Sequence, residues 1–100
     1  MKRELRKALT AAFRVMRVSG YIAEHNFACC NTCSWAMIPW SNADHCVFYN
    51  DQDKADADNT GSLYLTWQGD PDFIRAALEQ AGLLVDHDGS VQTRMRVEHP

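Results

Sequence analysis

A chain of 100 residues, with 46% apolar and 23% charged residues, has the length and composition of one ordinary globular domain. No apolar stretch reaches the roughly 20 residues that a membrane-spanning helix requires, and basic side chains interrupt the N-terminal segment, so the sequence predicts neither a membrane protein nor a signal peptide. We therefore expect a cytoplasmic protein, whose cysteines are thiols or metal ligands more often than disulfides.

The net charge of −3 is distributed unevenly along the chain. Residues 1–20 carry six basic side chains and one acidic side chain, a local charge of +5. Residues 21–100 carry four basic and twelve acidic side chains, a local charge of −8. Because a mostly acidic body repels phosphates, we expect no nucleic-acid partner.

The basic residues belong to a predicted amphipathic helix over residues 2–18. Apolar residues at steps of three and four share one face of this helix: Leu5, Ala8, Leu9, Ala12, Phe13 and Met16. The adjoining face is basic, which indicates either a solvated surface or a docking stripe for an acidic partner or phosphate. The candidate interaction residues on this face are Arg3, Lys7, Arg14 and Arg17.

The middle of the chain combines an ambiguous segment with a predicted hairpin. Residues 21–38 fit a second helix. Residues 46–50 and 63–67 have strand composition and are expected to pair in an antiparallel hairpin. Its acidic connection, residues 51–62, reads as a loop, and the polar cluster at its start has no assigned role: Asp51, Gln52 and Asp53.

The C-terminal third predicts a helix and a second hairpin. Asp70 is suited to cap a helix whose first residue is Pro71. Residues 83–85 begin a strand, the pair Asp88-Gly89 favours a turn, and residues 91–98 alternate as a half-buried strand. The sequence thus predicts a single α+β domain over residues 1–100, with an antiparallel sheet of about four strands, in two hairpins, packed against two or three helices.

The cysteines offer several kinds of site. Cys30 and Cys33 have the spacing of half a zinc site, and two more ligands would complete a tetrahedron. Candidates for these are Cys46 and His45 from the next strand, or Cys29 and His25 from the preceding turn. The alternatives are buried thiols that pack like small hydrophobic groups, a redox pair, and a disulfide to Cys46.

Three segments carry a family resemblance: residues 27–33, with the cysteine cluster; residues 47–53, with the run Phe48-Tyr49-Asn50; and residues 82–90, which end in Asp88-Gly89-Ser90. They resemble a family of small uncharacterised bacterial domains of unknown function. The chain departs from the family pattern at Asn50, where a histidine is common, and at His87, where a tryptophan is common. The resemblance implies one compact domain and brings no activity with it.

The sequence contains no complete catalytic set, no phosphate-binding glycine loop and no nucleotide fingerprint. We therefore expect a non-enzymatic protein-interaction or regulatory domain, such as a bacterial or phage accessory protein, without a cofactor. Aromatic residues are expected to help form its interface: Trp35, Trp40, Trp67, Tyr49 and Tyr64. The alternative is a small structural-zinc domain built on Cys30 and Cys33. The sequence does not indicate an oligomeric state.

Overall fold

The computed structural model describes residues 1–27, 44–90 and 93–100. The helices in these ranges are α1 (Arg3–Val18), α2 (Asp51–Thr60) and α3 (Pro71–Gln80). The strands are β1 (Ile22–Glu24), β2 (Cys46–Phe48), β3 (Leu63–Gln68), β4 (Leu84–Asp86) and β5 (Met95–Glu98). The predicted α+β class is confirmed. No helix in the described ranges is both long enough and apolar enough to cross a membrane.

The sheet has five strands in the order β1-β2-β3-β5-β4. Strand β1 pairs with β2 in parallel, and the other three pairings are antiparallel. The prediction of a purely antiparallel sheet of about four strands is therefore wrong in strand number and in one pairing. Strand β1 escapes prediction because it is three residues long and buries only Ala23 completely, which gives too short a pattern to recognise. The second-helix interpretation of residues 21–38 is wrong over Ile22–Glu24, and residues 28–38 lie outside the described ranges.

The core lies between one face of the sheet and helices α1 and α3. Helix α1 buries its apolar face almost completely: Leu5, Leu9, Ala12, Phe13 and Met16. Alternate residues of β3 and β5 meet this face and are also fully buried: Leu63, Leu65, Met95 and Val97. This packing leaves the opposite side of α1, with its basic residues, toward solvent.

Helix α2 occupies the segment that the sequence predicts as a loop, so that prediction is wrong. A capping box starts the helix: the Asn50 side chain accepts a hydrogen bond from the Asp53 amide, and the Asp53 carboxylate accepts one from the Asn50 amide. Gly61 ends it in the left-handed conformation, with φ of 79°. The helix buries little besides Asp53 and Ala57, so its formation depends on its caps, and no apolar periodicity reveals it.

Helix α3 begins as the sequence predicts. The Asp70 carboxylate accepts hydrogen bonds from the amides of Asp72 and Phe73, and Pro71 is the first helical residue. The predicted antiparallel pairings of β2 with β3 and of β4 with β5 are also confirmed.

Candidate functional site

Three of the four candidate interaction residues form a stripe on α1. Arg3, Lys7 and Arg14 are exposed, and none of their side chains forms a hydrogen bond or an ion pair with the part of the chain that the structure describes. At about 100° per residue, these three positions fall within an arc of roughly 40° on the helix. We call Arg3, Lys7 and Arg14 the basic stripe. Their charges are available to a partner.

The fourth candidate, Arg17, has a structural role. Its guanidinium Nε donates to the Ala23 carbonyl oxygen at 2.8 Å, and an Nη atom lies 3.5 Å from the Glu24 carboxylate. These contacts fasten the end of α1 to β1. Part of the Arg17 charge is therefore used within the fold, and we do not count Arg17 in the stripe.

A groove of about 330 Å³ runs beside the basic stripe, between α1, the end of α3 and the C-terminal segment. Three of the residues that line it have small apolar side chains: Ala8, Ala11 and Ala81. The other three have charged or titratable side chains: Glu4, Lys7 and His99. Further along α1, Val15 is 46% exposed and Val18 is 85% exposed. The exposed side of α1 therefore combines cations, a groove lined in part by alanines and two uncovered valines.

A second polar assembly joins α1 to the ends of β1 and β2. The Tyr49 hydroxyl lies 2.7 Å from His25 Nδ1, and His25 Nε2 lies 3.0 Å from the Thr10 hydroxyl. Arg6 donates to the Tyr49 oxygen and to Asn26 Oδ1, both at 3.0 Å. The sequence indicates His25 as a candidate metal ligand. It does not link His25 to Tyr49 or Arg6 to Tyr49, because contacts between residues 24 and 43 positions apart leave no local pattern.

The electrostatics of this assembly favour neutral side chains. Burial, together with the nearby positive charges of Arg6 and Arg17, lowers the pKa of His25 to about 4. Burial raises the pKa of Tyr49 to about 12, although the charge of Arg6 opposes this shift. A neutral imidazole beside a protonated phenol supplies neither a strong base nor a phenolate at neutral pH. The arrangement fits a clamp between elements better than an acid–base pair.

The structure assigns separate roles to the predicted polar cluster. The Asp51 carboxylate accepts a hydrogen bond from Asn26 Nδ2 at 3.1 Å. The Asp53 carboxylate caps α2 and lies 2.6 Å from a guanidinium nitrogen of Arg94, with only 8% of its side chain exposed. Gln52 is exposed. The two carboxylates therefore have different partners and do not form a shared acid–base or metal site.

The predicted zinc ligands can be placed only in part. Cys30 and Cys33 lie outside the described residues. Cys46 is fully buried, which raises the pKa of its thiol to about 11. The exposed His45 ring forms a T-shaped contact with the Tyr21 ring. In the described ranges, no three His, Cys, Asp or Glu side chains come together as a metal site. A zinc site that includes Cys30 and Cys33 stays a prediction.

The predicted interface aromatics divide by exposure. Trp67 is 4% exposed and Tyr49 is completely buried, so both belong to the core and the interface prediction is wrong for them. Tyr64 is 44% exposed on the open face of β3, where the Arg94 guanidinium lies 5.7 Å from its ring centre. Trp35 and Trp40 lie outside the described residues.

A second surface cavity, of about 230 Å³, lies over the hairpin of β4 and β5. Its charged groups already have partners: Arg94 contacts Asp53, and Arg96 contacts Asp86 and Glu98. A cavity whose cations are already paired attracts a charged ligand less than the unpaired cations of α1 do.

Comparison with known protein families assigns this sequence to one of them. The model of a domain of unknown function, DUF6891, matches residues 6–99. The match includes most of α1 and every later element. No curated protein and no solved structure matches the chain.

Proposed function

Because the chain belongs to the DUF6891 family, whose description carries no activity, we propose from the geometry of α1 that it is a non-enzymatic protein-interaction domain. The basic stripe and the adjacent groove bind an acidic amphipathic helix of a partner protein. The observation that supports this most directly is that Arg3, Lys7 and Arg14 share one exposed arc of α1 without a partner in the described ranges.

Charge supports an acidic occupant. The three cations lie on a segment of local charge +5, in a chain whose remainder carries −8. A long anionic polymer such as nucleic acid would meet this acidic remainder beyond the stripe, whereas a short acidic helix would contact α1 alone. The charges favour rapid, oriented encounter more than tight binding, so a further contact must stabilise the complex.

The groove supplies that contact. Its alanine side chains let the backbone of a partner helix approach closely, and Val15 and Val18 add apolar area that water now covers. Helices that recognise grooves place apolar side chains at steps of three and four residues. On the partner we therefore expect an apolar ridge flanked on one side by carboxylates.

Fluorescence anisotropy with two labelled peptides of equal composition tests this function. One peptide places glutamates along one side of an apolar helical ridge, and the other distributes the same residues around the helix. We expect the first peptide to bind more tightly, and the double variant Lys7→Glu/Arg14→Glu to weaken that binding at least about tenfold. Added salt is expected to weaken it as well.

The control is Lys54→Glu, because Lys54 is a partly exposed cation on α2 that is already paired with Asp58. It should leave peptide binding unchanged. Three outcomes would each contradict the proposed function. The two peptides could bind equally well, the charge reversals on α1 and at Lys54 could weaken binding equally, or a single-stranded oligonucleotide could bind the stripe more tightly than the peptide.

A further inference from the structure

Strand β4 forms one end of the sheet, next to β5. The other edge of β4 has no strand partner in the described ranges. Leu84, the first residue of β4, is 56% exposed. An open strand edge presents unpaired backbone groups and is a template for pairing with another chain. Natural proteins protect such edges by keeping the strand short, by placing charged side chains on it or by covering it.

The side chain of Arg75, from α3, reaches the backbone of this strand. Its guanidinium donates to the Val85 carbonyl oxygen at 3.3 Å and to the His87 carbonyl oxygen at 3.4 Å. Because Val85 and His87 are two residues apart, their carbonyls face the same edge. Strand β5 occupies the other edge, so we assign both carbonyls to the outer one. One side chain thus occupies two successive acceptors that an added strand would need.

A second contact holds this guanidinium in place. Arg75 Nε lies 3.5 Å from the Glu79 carboxylate, one turn further along α3. The two residues are one helical turn apart, so their side chains are neighbours on the helix surface. The helix therefore holds the guanidinium at the edge of β4, where it occupies backbone acceptors of that strand.

We propose that Arg75 closes the outer edge of β4 to a strand from a second copy of this chain. Without this contact, two copies related by a two-fold axis could pair their β4 strands antiparallel. Val85 would then lie opposite Val85, and Leu84 opposite Asp86. This register places no two like charges of the strands opposite each other. In the intact protein the guanidinium occupies the carbonyls, so a second strand would have to displace it. This inference is independent of the proposed function of α1.

Analytical ultracentrifugation over a wide concentration range tests it. We expect the unchanged chain to sediment as a monomer, and Arg75→Met to show concentration-dependent dimers or larger species. Methionine keeps the apolar stem of the arginine and removes the donors and the charge. Adding Leu84→Lys to Arg75→Met restores a cation beside the edge and should return the chain to the monomer.

The control is Lys54→Met, which also replaces a partly exposed, ion-paired cation of a helix with methionine. It should remain monomeric. A monomeric Arg75→Met variant that retains its circular dichroism spectrum would overturn the proposal, as would self-association of the unchanged chain or of Lys54→Met. If Arg75→Met does not fold, the same comparison is made with Arg75→Leu, which also lacks the donors and the charge, and a monomer there counts equally against the proposal.

Discussion

The Tyr49 hydroxyl donates to His25 Nδ1 across 2.7 Å, and this contact connects the end of β2 to the segment after β1. The direction of donation follows from the other partners. The Thr10 hydroxyl already donates to the Arg6 carbonyl oxygen, so it accepts from His25 Nε2. Because its pKa lies near 4, the imidazole is neutral at pH 7. Its single proton is therefore on Nε2, and Nδ1 accepts from the Tyr49 hydroxyl.

Replacing Tyr49 with phenylalanine should destabilise the fold. The variant removes a buried hydroxyl that contacts both His25 and Arg6, and it leaves the Nδ1 acceptor unpaired. We expect the free energy of unfolding to fall by about 1–2 kcal/mol, measured by urea denaturation. Tyr64→Phe is the control, because the Tyr64 ring is 44% exposed, and it should change stability by less than about 0.5 kcal/mol. Equal losses in the two variants would show that the Tyr49 contacts contribute nothing specific.

The low pKa of His25 predicts a loss of stability in mild acid. The folded pKa of about 4 lies below the unfolded value of 6.5, so between these two pH values the unfolded chain binds more protons. The free energy of unfolding should therefore fall as the pH decreases from 6.5 to 4, and His25 should contribute no further change below that. Because His25 is only half buried, we expect a contribution on the order of 1–2 kcal/mol.

The variant His25→Gln isolates this contribution, since glutamine can still accept from Tyr49 but does not titrate. The difference in unfolding free energy between the two proteins should depend on pH only from about 6.5 to 4. A constant difference across that range would show that the imidazole has an ordinary pKa in the folded protein.

Sequence patterns predict some elements of this fold well and miss others for identifiable reasons. Helix α1 repeats its apolar residues over four turns, and α3 carries both a capping aspartate and Pro71, so their signals are local. Helix α2 has no apolar stripe, and the mutual capping of Asn50 and Asp53 was hidden in an acidic run that reads as a loop. The hydrogen bonds of Tyr49 with His25 and Arg6 join segments that are distant in the sequence, and such contacts leave no periodic pattern.

The ion pair between Asp53 and Arg94 should stabilise the fold without taking part in binding. Asp53→Ala removes both a helix cap and the partner of a guanidinium whose Nε is buried without a hydrogen bond. We expect a loss of about 2–3 kcal/mol, and a coupling energy of about 1–2 kcal/mol in a double-mutant cycle with Arg94→Met. Asp56→Ala, at an exposed position of α2, should cost less than about 0.5 kcal/mol.

The same variants separate structure from function in the polar cluster. Under conditions where Asp53→Ala is still folded, it should bind the acidic peptide as well as the unchanged chain does. Weaker peptide binding by folded Asp53→Ala would indicate that the peptide contacts α2 as well as or instead of α1, which would contradict the proposed function.

The close approach of Gly69 to Tyr21 predicts the most damaging small substitution. Gly69 has φ of 125°, and a Cβ atom there would lie 2.5 Å from the Tyr21 hydroxyl oxygen and 2.8 Å from a ring carbon. That hydroxyl accepts a hydrogen bond from the Asp70 amide at 3.0 Å, just before α3 begins. Gly69→Ala therefore combines backbone strain, a steric clash and a lost hydrogen bond, and should cost at least about 3 kcal/mol.

Gly61→Ala provides the matched control, because its φ of 79° is also left-handed but no atom lies within 4 Å of the added Cβ. It should cost about 1–2 kcal/mol, the strain alone. Adding Tyr21→Phe to Gly69→Ala removes the nearest clashing atom and should recover part of the lost stability. Tyr21→Phe alone should destabilise the chain, because it removes the acceptor of the Asp70 amide. Urea denaturation of the four variants measures both effects. Equal costs at the two glycines would mean that Tyr21 does not pack against Gly69 as the structure places it.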